Sequence, residues 1–276
     1  MATKNKVESW YDARAVMEEH RLDEGRLEFE VTLRVIKSCI EEKGVQEAKI
    51  LDVGGGPGRY AIELTRLGHN ITLSDISSQS LTIASQNASK QGVHFDAIIH
   101  ANALDLSRHP SLTNASSTFD IVLCLGPLYH TLSISNRTRI IETCIAFTKP
   151  GGYILMAYVS IYAHLRDMAR RDPARLSNEW DFYSAYLNNG NYTRNANTES
   201  YHLYPEQLEK EVKGLEGVRL ERIVSCEGFL GFEGARGFTQ LSEEEMGRWV
   251  DVVMEAAERR EVLGAADHML VVLRKT

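Results

Sequence analysis

From Ala48 the sequence alternates short apolar runs with amphipathic stretches: Lys49 to Val53 then Pro57 to Leu67, Asn70 to Ser74 then Ser77 to Lys90, and then Phe95 to His100. Short apolar runs suit strands, and longer stretches with apolar positions three and four apart suit helices. A strand followed by a helix and another strand pairs in parallel, with the helix crossing over the sheet. The pattern therefore predicts an α/β fold, a mainly parallel sheet with helices on both faces. The rhythm continues with a strand over Phe119 to Leu125, a helix over Ser135 to Thr148 and, after the turn Lys149-Pro-Gly-Gly, a fifth strand over Tyr153 to Val159. Val218 to Glu227 and His268 to Leu273 supply two further strands that pair as a hairpin, giving seven in all.

The flanks read differently. Val7 to Glu42 has Leu27, Val31, Ile36 and Ile40 at roughly helical spacing among charged residues, so residues 1–47 are expected to form a helical cap ahead of the 48–159 core. Ser160 to Tyr204 breaks the strand and helix rhythm and carries Tyr162, Trp180, Phe182, Tyr183, Tyr186, Tyr192 and Tyr201 beside Asn- and Gly-rich turns, which predicts an inserted lid. Residues 205–276 complete the sheet, with a charged helix over Ser242 to Leu263. At 276 residues the whole reads as one domain with insertions.

The chemistry concentrates in Ile50-Leu-Asp-Val-Gly-Gly-Gly-Pro-Gly-Arg59, an apolar strand that runs into glycines and then a helix. Glycines at a strand end allow a tight turn and let a ligand touch the backbone where a Cβ would intrude. A dinucleotide fingerprint starting at Gly54 needs glycine at 54, 56 and 59, but position 59 is Arg and the third glycine is Gly58. Glycine at 54, 56 and 58 resembles the GxGxG motif of class I S-adenosylmethionine-dependent methyltransferases. Asp75 ends the next strand, where a carboxylate can accept hydrogen bonds from both hydroxyls of an unphosphorylated ribose. Asp52, inside the first strand, is expected to organise the glycine turn through backbone N–H groups.

Further segments resemble the same family: Ala101-Asn102-Ala103 after the third strand, Leu125-Gly-Pro-Leu-Tyr-His130 after the fourth, and Lys149-Pro-Gly-Gly-Tyr-Ile-Leu at the fifth. Together with Arg26-Leu-Glu-Phe-Glu-Val-Thr-Leu33 and Leu263-Gly-Ala-Ala-Asp-His268 they are similar to a small-molecule type of methyltransferase with a GPLYH segment. The resemblance implies a Rossmann-like fold and S-adenosylmethionine as cofactor. It places Gly54, Gly56, Asp75, Ile76, Asn102, Ala103 and Leu125 around that cofactor, with the Asn102 carbonyl accepting from the adenine amine. Tyr11, on the cap, either reaches the methionine carboxylate or packs. His130 follows the fourth strand at the carboxyl edge, where it is either a general base or a backbone-bonded structural histidine. Tyr129, a candidate substrate-binding residue, either lines the donor methyl pocket or packs beneath the lid, and Tyr158 and Tyr162 either line an acceptor pocket or belong to the core.

Composition narrows the partners. A net charge of -7 and the lack of a basic cluster argue against a nucleic-acid acceptor. The first residues hold no apolar leader, and no apolar run reaches the ~20 residues of a membrane helix, so a cytoplasmic protein is expected. Cys39, Cys124, Cys144 and Cys226 stand far apart without metal-ligand spacing, which predicts reduced thiols and metal-independent transfer. The expected reaction is in-line displacement of a methyl group onto an O, N or S atom of a small organic molecule. The alternatives are an S-adenosylmethionine-binding protein without methyl transfer and a nicotinamide oxidoreductase.

Overall fold

The computed structural model describes residues 6–194 and 199–276. Strand β1 (Lys49–Val53) lies between β2 (Asn70–Asp75) and β4 (Phe119–Cys124), with β3 (Ala97–His100) outside β2 and β5 (Thr148–Ser160) outside β4, all parallel. Strand β9 (His268–Lys275) runs antiparallel along β5, and β8 (Val218–Ser225) runs antiparallel along β9. The resulting order β3-β2-β1-β4-β5-β9-β8 contains the seven strands expected from the sequence.

Both faces are apolar, as a sheet covered on both sides requires. Ile50, Leu73, Leu123, Leu155 and Leu270 pack into one core with helices α2 (Arg26–Lys43), α3 (Arg59–Arg66) and α4 (Ser78–Lys90). Alternate residues Leu51, Val53, Val122, Ile154, Met156 and Val271 pack into a second core with α5 (Ile134–Phe147) and the helix Pro205–Lys213. The four cysteine thiols are buried and unpaired. No helix among the described residues is long and apolar enough to cross a membrane.

Several expected elements differ in extent, among them β5, which begins at Thr148 and takes in the Lys149-Pro-Gly-Gly segment expected as a turn. The N-terminal cap is two helices, α1 (Lys6–Glu24) and α2, because the chain turns at Gly25. This break frees α1 to lie across α4 while α2 packs under the sheet. The helix expected over Ser242 to Leu263 divides into Glu243–Met254 and Arg260–Leu263. Between them the Ala257 carbonyl leaves the helical ladder and accepts from Ser225 N–H at the end of β8. The third strand begins at Ala97 instead of Phe95, whose ring packs into the first core.

The insertion after β5 forms helices α6 (Ile161–Arg171), α7 (Arg175–Asn178) and α8 (Trp180–Asn189), then a short hairpin of β6 (Asn191–Tyr192) and β7 (Ser200–Leu203). Val159 pairs with His268 on one edge of β5 and with His202 of β7 on the other. Strand β7 thus occupies the edge of β5 that β4 vacates after Cys124, which brings the insertion beside the segment following β4. Ile161, Met168, Tyr183 and Tyr186 form a separate small core with Tyr162, Phe182, Tyr192 and Tyr204. His202 is bonded to the Tyr186 hydroxyl at 2.7 Å, and burial pushes its pKa down to about 3, so it packs there as a neutral ring.

Candidate active site

The carboxyl ends of β1, β2, β3 and β4 open into a cavity of about 400 Å³, within the size range of small-molecule sites. The loop after β1 forms its floor. Gly54 and Gly55 N–H groups both donate to the Ser74 carbonyl, at 2.8 and 3.1 Å, which folds the turn back onto β2. Gly56 then takes φ +56, and a Cβ built on it meets no atom within 4 Å. A Cβ on Gly54 would instead strike Pro127 at 2.5 Å. The two glycines therefore have different duties: Gly54 lets the loops after β1 and β4 touch, and Gly56 presents bare backbone to the cavity.

Asp75 ends β2 and locks this turn. One carboxylate oxygen accepts from Gly56 N–H at 2.9 Å and the other from Ser77 N–H at 2.7 Å. Burial raises its pKa above the ordinary carboxylate value, opposed by those two amide bonds. Ile76 N–H also bonds this carboxylate, and the acceptor capacity that remains is available to a ligand hydroxyl. Asp52 behaves otherwise than expected: Oδ2 has no hydrogen-bond partner among the described residues, so it does not organise the turn through N–H groups. Burial and the nearby Asp75 charge push its pKa up to about 7. A Cβ at Gly55 would touch the same oxygen at 2.4 Å, so Asp52 supports the turn by close packing.

Ile76, Asn102, Ala103 and Leu125 line the cavity. The Ile76 carbonyl is engaged by His100 Nε2 at 2.8 Å. The Asn102 carbonyl is not reserved for a ligand, since it accepts from Leu104 N–H at 2.9 Å and caps the short helical turn that follows. An amide at this position is thus explained by capping as well as by recognition.

After β4, Pro127–His130 forms a single helical turn that places Tyr129 and His130 in the cavity wall. His130 Nδ1 lies 3.3 Å from the Glu199 carbonyl, which can only accept, so Nδ1 carries the proton. Nε2 then accepts from the Tyr11 hydroxyl at 2.5 Å. The Tyr11 hydroxyl is therefore directed to the imidazole. Arg137, buried on α5, fixes this segment by donating to the Thr131 and Leu132 carbonyls at 3.0 and 2.8 Å while its guanidinium lies 3.5 Å from the Tyr201 ring centroid on β7.

Two expected acceptor-pocket residues lie elsewhere. Tyr158 points into the second core, 1% exposed, and does not line the cavity. Its parity on β5, shared with Ile154 and Met156, puts it on the face that packs into the second core. Tyr162 packs in the insertion's own core, 5.4 Å from the Tyr204 ring. Of the described insertion residues, Glu199 alone reaches the cavity wall.

Sequence reasoning missed Asp12, Glu199 and Arg137. Asp12 Oδ1 accepts from the Ser77 hydroxyl at 2.7 Å and from Gln79 N–H at 3.3 Å, tethering α1 across the cavity beside Asp75. An acidic residue on a charged helix carries no local signal for this role, and Glu199 acts through its main chain, which no side-chain pattern reports.

Residues 50–152 match the family model described as a methyltransferase domain. The chain is similar over 142 residues to the tRNA 5-carboxymethoxyuridine methyltransferase of Escherichia coli K12, at 26% identity over 51% of each chain. Over 117 residues it is similar to the ubiquinone biosynthesis O-methyltransferase of Shewanella pealeana, at 27% identity over 42% of this chain and 46% of that one. The chain thus spans about half the length of these curated relatives. Its fold resembles the 1,6-didemethyltoxoflavin-N1-methyltransferase of Burkholderia thailandensis, solved with 1,6-didemethyltoxoflavin and S-adenosylhomocysteine bound. That likeness has a TM-score of 0.56 at 14% identity and covers 98% of this chain and 85% of the other. Residues 50–152 are similar to a methyltransferase domain, the fold is class I and Rossmann-like, and S-adenosylmethionine is the cofactor of such domains. The residues present fit it: backbone at Gly56 that a Cβ would cover, the Asp75 carboxylate in the cavity wall, and a buried oxygen on Asp52 without a partner among the described residues.

Proposed function

We propose that the protein transfers a methyl group from S-adenosylmethionine to an O, N or S atom of a small organic molecule, and that it belongs to a small-molecule type marked by the GPLYH segment. The observation that carries this reading is the convergence of two sets of residues on one cavity. Gly56, Asp75, Asn102, Ala103 and Leu125 line it together with the bonded pair Tyr11 and His130. In this reading Asp75 would hold the ribose hydroxyls, Asn102 and Ala103 would flank the adenine, and Leu125 and Tyr129 would border the methyl. The bound sulfonium supplies an already activated methyl group, so the protein's main task is to align the acceptor with the methyl-sulfur bond.

Where the acceptor loses a proton, the geometry supports a relay. The Nε2 lone pair of His130 faces the Tyr11 hydroxyl, so an acceptor O–H or protonated amine gives its proton to the Tyr11 oxygen while the Tyr11 proton moves to Nε2. The Glu199 carbonyl then keeps the Nδ1 proton in place, and the imidazole ends as imidazolium.

Incubating the protein with methyl-labelled S-adenosylmethionine and a panel of phenols, amines and thiols tests the reading. Formation of S-adenosylhomocysteine with labelled product supports it. Binding without turnover across the panel favours a non-transferring binding protein, methylation of tRNA in place of the panel overturns the small-molecule assignment, and preference for NAD removes the cofactor.

A further inference from the structure

Two segments quoted above for their resemblance, Arg26 to Leu33 and Leu263 to His268, have no part in the cavity. The fold brings them together. Glu28 stands in the first turn of α2, His268 begins β9, and Glu227 lies just beyond β8 in the turn that closes on β9. One carboxylate oxygen of each glutamate and Nδ1 of His268 all fall within 4.8 Å of one another. Nδ1 is 2.6 Å from Glu227 Oε1 and 3.5 Å from Glu28 Oε2. The glutamates are 7% and 1% exposed, for Glu28 and Glu227 respectively. Among the described residues this is the one cluster with a metal-ligand donor set.

We infer that Glu28, Glu227 and His268 form a binding site for a divalent transition-metal ion of the zinc type, separate from the methyl-transfer cavity. The donor set argues for that class. Two carboxylate oxygens with one imidazole nitrogen suit zinc and its neighbours, whereas calcium and magnesium prefer oxygen donors throughout. The supports are already in place. Glu227 Oε2 accepts from the N–H groups of Asp267 and His268 at 3.2 and 3.0 Å, fixing the orientation of the carboxylate. Arg166 donates to the Gly264 and Ala266 carbonyls and pairs with Asp267, bracing the turn that delivers His268.

The adjustment required is small. Tetrahedral zinc with bonds near 2.0–2.1 Å places its ligand atoms about 3.3 Å apart. The pair now at 2.6 Å opens by well under 1 Å, and Glu28 is already at 3.5 Å from the same nitrogen. The proton between Nδ1 and Glu227 leaves that nitrogen, for Nε2 or for solvent, as the metal takes its place, so affinity rises with pH while the imidazole deprotonates. Three protein ligands leave a fourth position for water.

Chelator-treated protein titrated with zinc sulfate in a calorimeter tests the site, with metal content after gel filtration and the visible spectrum of cobalt(II)-loaded protein as independent readouts. The wild type is expected to bind one equivalent, and E28Q to weaken it at least tenfold and lose the cobalt bands. H268A is expected to abolish binding, and both variants to keep wild-type affinity for S-adenosylhomocysteine as proof of folding. E227Q is the weaker choice, because it disturbs two backbone bonds. Substoichiometric binding by the wild type, or an unchanged titration in both E28Q and H268A, overturns the site. Neither result touches the methyltransferase reading, whose cofactor binds elsewhere.

Discussion

Alanine at Gly56 and alanine at Gly54 separate cofactor contact from packing within one turn. Both glycines have positive φ, +56 and +70, so each alanine costs about 1–2 kcal/mol for entering the left-handed region. At Gly56 nothing else opposes the new methyl group, because no atom lies within 4 Å of it. At Gly54 the methyl group falls 2.5 Å from Pro127 Cγ and 2.6 Å from Cδ. A proline ring has no rotamer to escape into, and it opens the turn that carries Tyr129 and His130, so the backbone must move at a further cost of about 1–3 kcal/mol. With about 2–4 °C in Tm for each kcal/mol in a chain of this size, G56A melts a few degrees below wild type and G54A roughly twice as far below. Binding should run the other way relative to that damage: G56A, although well folded, loses S-adenosylhomocysteine affinity by tenfold or more, a change of about 1.4 kcal/mol per tenfold. Thermal melts and calorimetric titration measure both quantities on the same samples. Wild-type affinity in G56A would refute the assignment of this turn as the cofactor cradle, and equal melting of the two variants would refute the rigid contact with Pro127.

Asp75 to Ala removes charge-assisted bonds worth roughly 1.5–3 kcal/mol and should weaken S-adenosylhomocysteine by about tenfold to a hundredfold. Because the same change releases Gly56 N–H, D75N should recover part of the affinity, and an affinity in D75A equal to wild type would remove the ribose role. If the relay operates, Y11F and H130Q each lower the methylation rate, H130Q by on the order of a hundredfold, while cofactor affinity stays within about threefold. A parallel loss of affinity in Y11F would return Tyr11 to the methionine carboxylate. Asp52, whose pKa is about 7 when folded against 3.8 ordinarily, keeps its proton in the folded state over a range where the unfolded chain has lost it. Its contribution to stability is therefore full below pH 3.8, falls as the pH rises towards 7 and is level beyond; urea midpoints of wild type and D52N should diverge across that window, and parallel curves would show that Asp52 is ionised throughout.

The alternation from Ala48 to Val159 determined the sheet. Apolar runs that can be buried on both faces, separated by single helices, admit essentially one handedness of crossover and one class of fold. The glycine spacing and Asp75 were legible for a related reason, because a sharp turn and the carboxylate that closes it lie only one helix apart in sequence. Gly25 and the displaced Ala257 carbonyl were not, since a helix ends there to satisfy packing and hydrogen bonds with distant strands. The acceptor side shows the same limit. Tyr158 and Tyr162 carry aromatic rings suited to a pocket, but strand parity and the insertion's own core turned both away from it. The chain instead supplied Tyr11 from α1 and the Glu199 carbonyl from the insertion to opposite nitrogens of His130. Glu28, Glu227 and His268 were likewise brought together across most of the chain length. Local propensity and periodicity act over a few residues and are written in the sequence. Contacts between groups a hundred or more residues apart exist only once the sheet has fixed where each strand and helix ends.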